Sequence, residues 1–178
     1  MTRRLLVLGI AVAALAWFAW QWTMRRNAPA PGVAADSSEA GVRSARLYFA
    51  AASGDSLVAE TRELLEAASL HERVSGLVAE LDRGPRGPGV AALPAGTAVL
   101  HVFLDERGLL TLDLSRAFQQ GFRGGSGAEY LAVASLVRTL GANLPEVKRI
   151  LVVCGGRPIA TLGGHLPLDQ PLDVTDWP

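Results

Sequence analysis

Residues 5–22 form one unbroken apolar run, bracketed by Arg3-Arg4 and Arg25-Arg26, and Gln21 is its only strongly polar member. At 1.5 Å of rise per helical residue these 18 positions reach about 27 Å, close to the ~30 Å hydrocarbon core of a bilayer. Trp17, Trp20 and Trp22 crowd the C-terminal end, where indole rings favour the water–lipid boundary. A secretory signal has a shorter apolar core, about 7–15 residues, and a small-x-small cleavage site. This run ends instead in Trp-Thr-Met and an arginine pair. It predicts an uncleaved transmembrane anchor over residues 1–26. The free amino terminus adds a third positive charge to the short side, which favours a cytoplasmic N-terminus and an extracytoplasmic remainder.

After the anchor the periodicity changes. Residues 27–43 read as a flexible linker, rich in Ala, Pro, Ser and Gly. Residues 45–50 predict a strand, Ser53-Gly54-Asp55 a turn, and 57–64 a second strand. Leu70, Val74, Leu77, Val78 and Leu81 follow helical spacing, with Ser69 and Glu72 as a capping box and Gly84-Pro85 as the stop. The loop 84–89, G-P-R-G-P-G, is rich in turn residues. Strands over 99–104 and 109–114 flank Asp105-Glu106-Arg107-Gly108, a hairpin. A second helix spans 128–140, again behind an S-x-x-E box, Ser126 and Glu129, with Gly141 and Pro145 closing it. A last hairpin joins 147–154 to 158–162, and 169–178 is an acidic tail that forms an extended strap or a disordered end.

The order β-β-α-β-β-α-β-β implies a single α+β domain over residues 44–168, a mixed sheet with two helices packed on one face. Strands 99–104 and 147–154 carry apolar residues on both of their faces. That suits a sheet covered on both sides, and two helices cover only one. Either the tail and loops fold over the second face, or a partner protein does.

Composition narrows the function. Four of the 17 basic residues flank the anchor, which leaves 13 against 17 acidic ones and a net charge of −4 beyond it. No nucleic acid or anionic lipid surface is a natural partner for such a domain. The single cysteine, Cys154, permits no internal disulfide and reads as an inert buried thiol.

The chemistry-bearing residues do not assemble into a catalytic pattern. Gly124-Gly125-Ser126-Gly127-Ala128 falls one residue short of the G-x-S-x-G elbow and has no buried strand before it. The loop 84–89 lacks the G-K-[ST] of a phosphate cradle. His71, His101 and His165 are too scattered for a metal site. His71 is expected on the solvent side of the first helix, and His165 in a turn or cap contact. His101 alternates with Val99 and Phe103 and faces Thr111 or Asp113 across the hairpin; Asp113 is expected to hold the loop that follows it. No catalytic residue, metal ligand or cofactor follows from the sequence. The candidate interface is His101, Phe103, Thr111 and Asp113.

Several segments, taken in order, resemble the GerMN domain of bacterial sporulation and spore germination proteins. They are R-L-Y-F-A at 46–50, L-V-A-E-T-R-E-L at 57–64, G-P-R-G-P-G at 84–89 and L-P-A-G-T at 93–97. L-D-L-S at 112–115, G-S-G-A-E-Y-L-A-V-A-S-L-V-R-T-L at 125–140 and L-G-G-H-L at 162–166 complete the set. The resemblance marks Gly84, Pro85, Gly87, Pro88, Ser126, Glu129, Gly163 and Gly164 as structural positions. It implies a non-catalytic scaffold module outside the cytoplasmic membrane that helps assemble envelope machinery, with other envelope proteins as partners. Peptidoglycan is the alternative partner, as for a module binding cell-wall glycan or peptide.

Overall fold

The computed structural model describes residues 41–177. The anchor expected at residues 1–26, with Trp17, Trp20 and Trp22, and most of the linker lie outside the described residues. Among those described, no helix is long and apolar enough to cross a membrane.

Strands β1 (Val42–Ala51) and β2 (Leu57–Leu65) form an antiparallel ribbon in which Ala45 pairs with Arg62, Leu47 with Glu60 and Phe49 with Val58. Side chains alternate across a strand, so these six share one face, and Ala45, Leu47 and Phe49 are fully buried on it. Helix α1 (Leu70–Arg83) begins at the expected capping box. The Glu72 N–H donates to Ser69 Oγ at 3.2 Å, and the Ser69 N–H donates to Glu72 Oε2 at 3.1 Å. Its apolar stripe, Val74, Leu77 and Val78, is wholly buried, and Gly84 ends it at φ 82°. Only glycine takes that backbone region without strain. Strand β3 (Gly89–Val90) then pairs with the end of β1, giving a three-stranded sheet of order β2-β1-β3.

The second sheet contains β4 (Val99–Leu104), β5 (Leu109–Leu114), β6 (Arg149–Cys154) and β7 (Arg157–Pro158) in that order, with β8 (Leu172–Asp173) also paired to β6. The hairpin β4–β5 is antiparallel and β5–β6 is parallel. A parallel neighbour needs a crossover. The short α2 (Ala117–Gln120) and the central α3 (Ser126–Asn143) supply it.

The domain is α+β and the expected elements follow in the expected order, with β3, α2 and β8 added, but the strands divide between two sheets instead of joining one. Helix α3 explains part of the division, because it occupies the edge of β1. The Tyr48 N–H donates to Thr139 Oγ1 at 3.0 Å, and Ser135 Oγ donates to the Tyr48 carbonyl at 2.5 Å. The Arg46 N–H donates to Asn143 Oδ1 at 3.0 Å, and Asn143 Nδ2 donates to the Arg46 carbonyl at 2.7 Å. Ser135, Thr139 and Asn143 stand four residues apart on one helix face and do for β1 what a neighbouring strand would otherwise do.

Two expected boundaries shift. Helix α3 runs through Gly141, whose missing Cβ makes room for Val174: a Cβ there would lie 3.1 Å from the valine's own. The final hairpin shrinks to the pairs Val153–Pro158 and Cys154–Arg157. Buried residues of both long helices, of β1 and of one face of β5 and β6 form a single core cluster.

The tail is a strap. After β8 a short 3-10 turn (Val174–Asp176) is capped by Asp173 Oδ1, which accepts the Thr175 N–H at 2.9 Å. Trp177 is buried and stacks on Tyr130 of α3, ring centroids 5.2 Å apart. The strap therefore lengthens the edge of β6 and turns back onto the helix, so that among the described residues the second face of the five-stranded sheet is open.

Candidate functional site

That open face is built by register. His101 lies opposite Asp113 and Phe103 opposite Thr111, while the parallel pairing sets Thr111 beside Leu151 and Asp113 beside Val153. A bulge between Val99 and His101 breaks the alternation at the start of β4. The four residues expected to share a face, His101, Phe103, Thr111 and Asp113, do share it. Phe103 is 67% exposed, whereas Leu109, Thr111, Leu151 and Val153 are half-buried. Strand β4 is the outer strand of its sheet.

Asp113 organises the polar end of this face. Its Oδ2 lies 3.3 Å from Nδ1 of the exposed His101, and its Oδ1 accepts the Gly156 N–H at 3.0 Å. It holds the turn after β6, not the loop that follows its own strand. The loop after β5 is held by Ser115 instead, whose Oγ accepts the Ala98 N–H at 3.1 Å and donates to the Gly96 carbonyl at 3.0 Å. That hydroxyl is committed to backbone. Cys154 points to the other face, and burial first, then the charge of Asp113, push its thiol up to about 11. It stays protonated at neutral pH and is a poor nucleophile. Among the described residues no group of three potential metal ligands converges. What the face offers is contact: an aromatic ring, aliphatic flanks and one histidine–aspartate pair.

Several of the remaining motif positions are held by partners that were not visible from spacing alone. Loop 84–89 is tied down by β2. Glu60 Oε2 accepts the N–H groups of Arg86 and Gly87 at 2.9 and 3.2 Å. Arg62, 4% exposed, donates from Nε to Glu60 at 2.8 Å, from Nη1 to Glu80 at 2.6 Å and from Nη2 to the Gly84 carbonyl at 2.8 Å. Its guanidinium also lies over the Phe49 ring. The one available signal was Arg62 itself, a charge at a core-facing position of a strand. Pro85 and Pro88 complete the loop, and Gly89 lets it cross β1, since a Cβ there would approach Phe49 and Val58 within 2.9 Å.

The second S-x-x-E box does not form. Gly125 is the N-cap of α3, Ser126 is its first residue and makes no cap bond. Glu129 turns inward, wholly buried, and accepts the N–H groups of Leu162, Gly163 and His165 at 2.8–2.9 Å. Nδ1 of His165 lies 3.0 Å from Glu129 Oε2. Four donors in one loop outcompete a single N-cap. Gly163 is needed because a Cβ would strike Phe122 at 2.6 Å, and Gly164 turns the chain at φ 97°. His71 is exposed at the start of α1, as expected.

The family model described as sporulation and spore germination matches residues 46–160. No curated protein matches the chain. Among solved structures, the tandem GerMN domains of the sporulation protein GerM from Bacillus subtilis superpose with a TM-score of 0.60 at 21% identity, covering 76% of this chain and 48% of that one. This chain thus spans about half of the tandem. The first GerMN domain of that protein alone gives 0.57 at 22% identity, over 74% of this chain and 97% of that one. A Clostridium perfringens protein provisionally described as a lipoprotein gives 0.54 at 19% identity, over 76% and 90%. At these identities the superpositions speak to fold alone, and the matched family model speaks to descent. The chain belongs to the sporulation and spore germination family of GerMN-type domains.

Proposed function

We propose that this chain is a membrane-tethered module of the bacterial cell envelope that docks another envelope protein on the open face of its five-stranded sheet and catalyses no reaction. Phe103 carries this reading: a phenylalanine 67% exposed, amid half-buried Leu109, Leu151 and Val153. An exposed aromatic ring with aliphatic side chains near it supports an interaction site. The anchor is supported by the run at residues 5–22, and an envelope location by the likeness to a provisionally described lipoprotein. Confinement to a membrane raises the local concentration of the domain, to about millimolar for short linkers, so a weak contact suffices.

Binding of cell-wall glycan or peptide is the alternative, and it asks for aromatic platforms. Phe49 and Phe118 are core, and Tyr48 is covered by the Arg138 guanidinium. Photo-crosslinking in cells from positions 101 and 103, with His71 as the control position, tests the proposal. A discrete protein adduct from the sheet positions alone supports it; retention on isolated peptidoglycan sacculi with no protein adduct favours the alternative.

A further inference from the structure

Six of the twelve described arginines make no ion pair or side-chain hydrogen bond, and two of those six, Arg116 and Arg157, share one cleft. Arg62, Arg73, Arg83 and Arg86 each meet a carboxylate, and Arg123 and Arg138 donate to carbonyls. Arg116 and Arg157 are exposed and make no ion pair or side-chain hydrogen bond among the described residues. They line one concavity of about 330 Å³ with Gln119, Gln120 and Ile159. It opens beyond the carboxyl ends of the parallel strands β5 and β6, where sheets joined by helical crossovers commonly hold ligands.

The walls of this cleft are fixed. Phe118 is fully buried and pins the short α2 that carries both glutamines. The Arg116 side chain lies across Gly155, where a Cβ would come within 3.1 Å of Nε and 3.2 Å of Cγ. Gly155 and Gly156 turn with φ 58° and 74°, and the Gly156 N–H is held from behind by Asp113. Asp113 gives its hydrogen bonds to that N–H and to His101 and forms no ion pair with either arginine. Ile159 is a buried apolar floor. Two guanidiniums lining one cleft offer it several N–H donors and positive charge.

We propose that this cleft binds an oxyanion, a carboxylate or a phosphate group of a small ligand. Arg116 and Arg157 donate to its oxygens, the Gln119 and Gln120 amides satisfy those that remain, and the apolar part of the ligand rests on Ile159. Guanidinium forks match the geometry of both groups. The volume sits at the lower end of the roughly 300–1,000 Å³ typical of ligand pockets, so it suits one small acid or headgroup. The site is separate from the docking face, and its test is separate too.

The full-length chain in detergent micelles, labelled with ¹⁵N-arginine, is titrated with inorganic phosphate, with citrate, and with sodium chloride at matched ionic strength. Saturable shifts of the Arg116 and Arg157 Nε–Hε signals are expected with phosphate or citrate and not with chloride. Whichever saturates first identifies the oxyanion. Arg116→Gln and Arg157→Gln each weaken binding about tenfold, the worth of a charged hydrogen bond, with melting temperatures unchanged. Shifts that never saturate, that chloride reproduces, or that persist at the same concentrations in both variants would overturn the proposal.

Discussion

Glu129 shows how one buried carboxylate can order a loop. Burial works to raise its pKa, but the backbone donors of Gly163 and His165 and the His165 ring outweigh it and hold the carboxyl below the usual 4.5. A folded-state pKa below the unfolded one adds stability that is complete above the unfolded value and is lost as pH falls through the folded one. A melting series from pH 7 down to 3 should therefore stay level to about 4.5 and then drop. Glu129→Gln should lower the melting temperature at pH 7, by about 1–3 kcal/mol of stability, and flatten part of the drop. An identical acid profile in the variant would remove Glu129 from the account. Thr139 makes a second, smaller test. Thr139→Val strands the Tyr48 N–H and should cost about 1–2 kcal/mol in denaturant unfolding, whereas Thr139→Ser should cost less because the hydroxyl remains.

Elements in this domain are joined by polar bridges as much as by apolar packing. The Arg62 cluster ties β2, the end of α1 and loop 84–89 together. Without Arg62, Glu80 keeps only the exposed Arg83 and Arg86 and Glu60 only the Arg86 and Gly87 N–H groups, so Arg62→Ala should cost about 3 kcal/mol. Amide exchange at Arg86 and Gly87 should quicken at the same time, and slow exchange there would mean the loop holds itself. Leu77→Asp should unfold the domain, because it places a charge in the core that α1 shares with both sheets. The first helix was legible because its signals are local: a capping box, a 3.6-residue apolar stripe and a glycine stop all act within one turn of the chain. The hairpin β4–β5 was legible for the same reason, with His101 facing Thr111 or Asp113, and the register settles on Asp113. Ser126 and Glu129 repeat the S-x-x-E pattern, yet Glu129 finds its partners some 33–36 residues away, and spacing carries no trace of them. The division into two sheets was hidden likewise, since it depends on which strand edge α3 covers. The one clue was the polar stripe Ser135, Thr139 and Asn143 on an otherwise apolar helix.

At the scale of the whole molecule, the strap decides what remains available to a partner. It pairs at the edge of β6 and stacks Trp177 on Tyr130, so among the described residues it leaves the outer face of the sheet uncovered. Trp177→Ala should cost about 3 kcal/mol, read by denaturant unfolding, because it removes a buried ring that clamps the strap to α3. It should not affect docking in molecules that remain folded. Phe103 behaves in the opposite way. Its ring contributes little to folding because most of it is already in water, so Phe103→Glu should leave the melting temperature within about 2 °C of the parent. The most direct test of the account is the yield of the photo-crosslink from position 101 in cells, compared between the parent chain and Phe103→Glu at equal abundance. A discrete adduct that the parent forms and the glutamate variant loses is the predicted result. An adduct of equal yield in both, or no adduct from either, would contradict it.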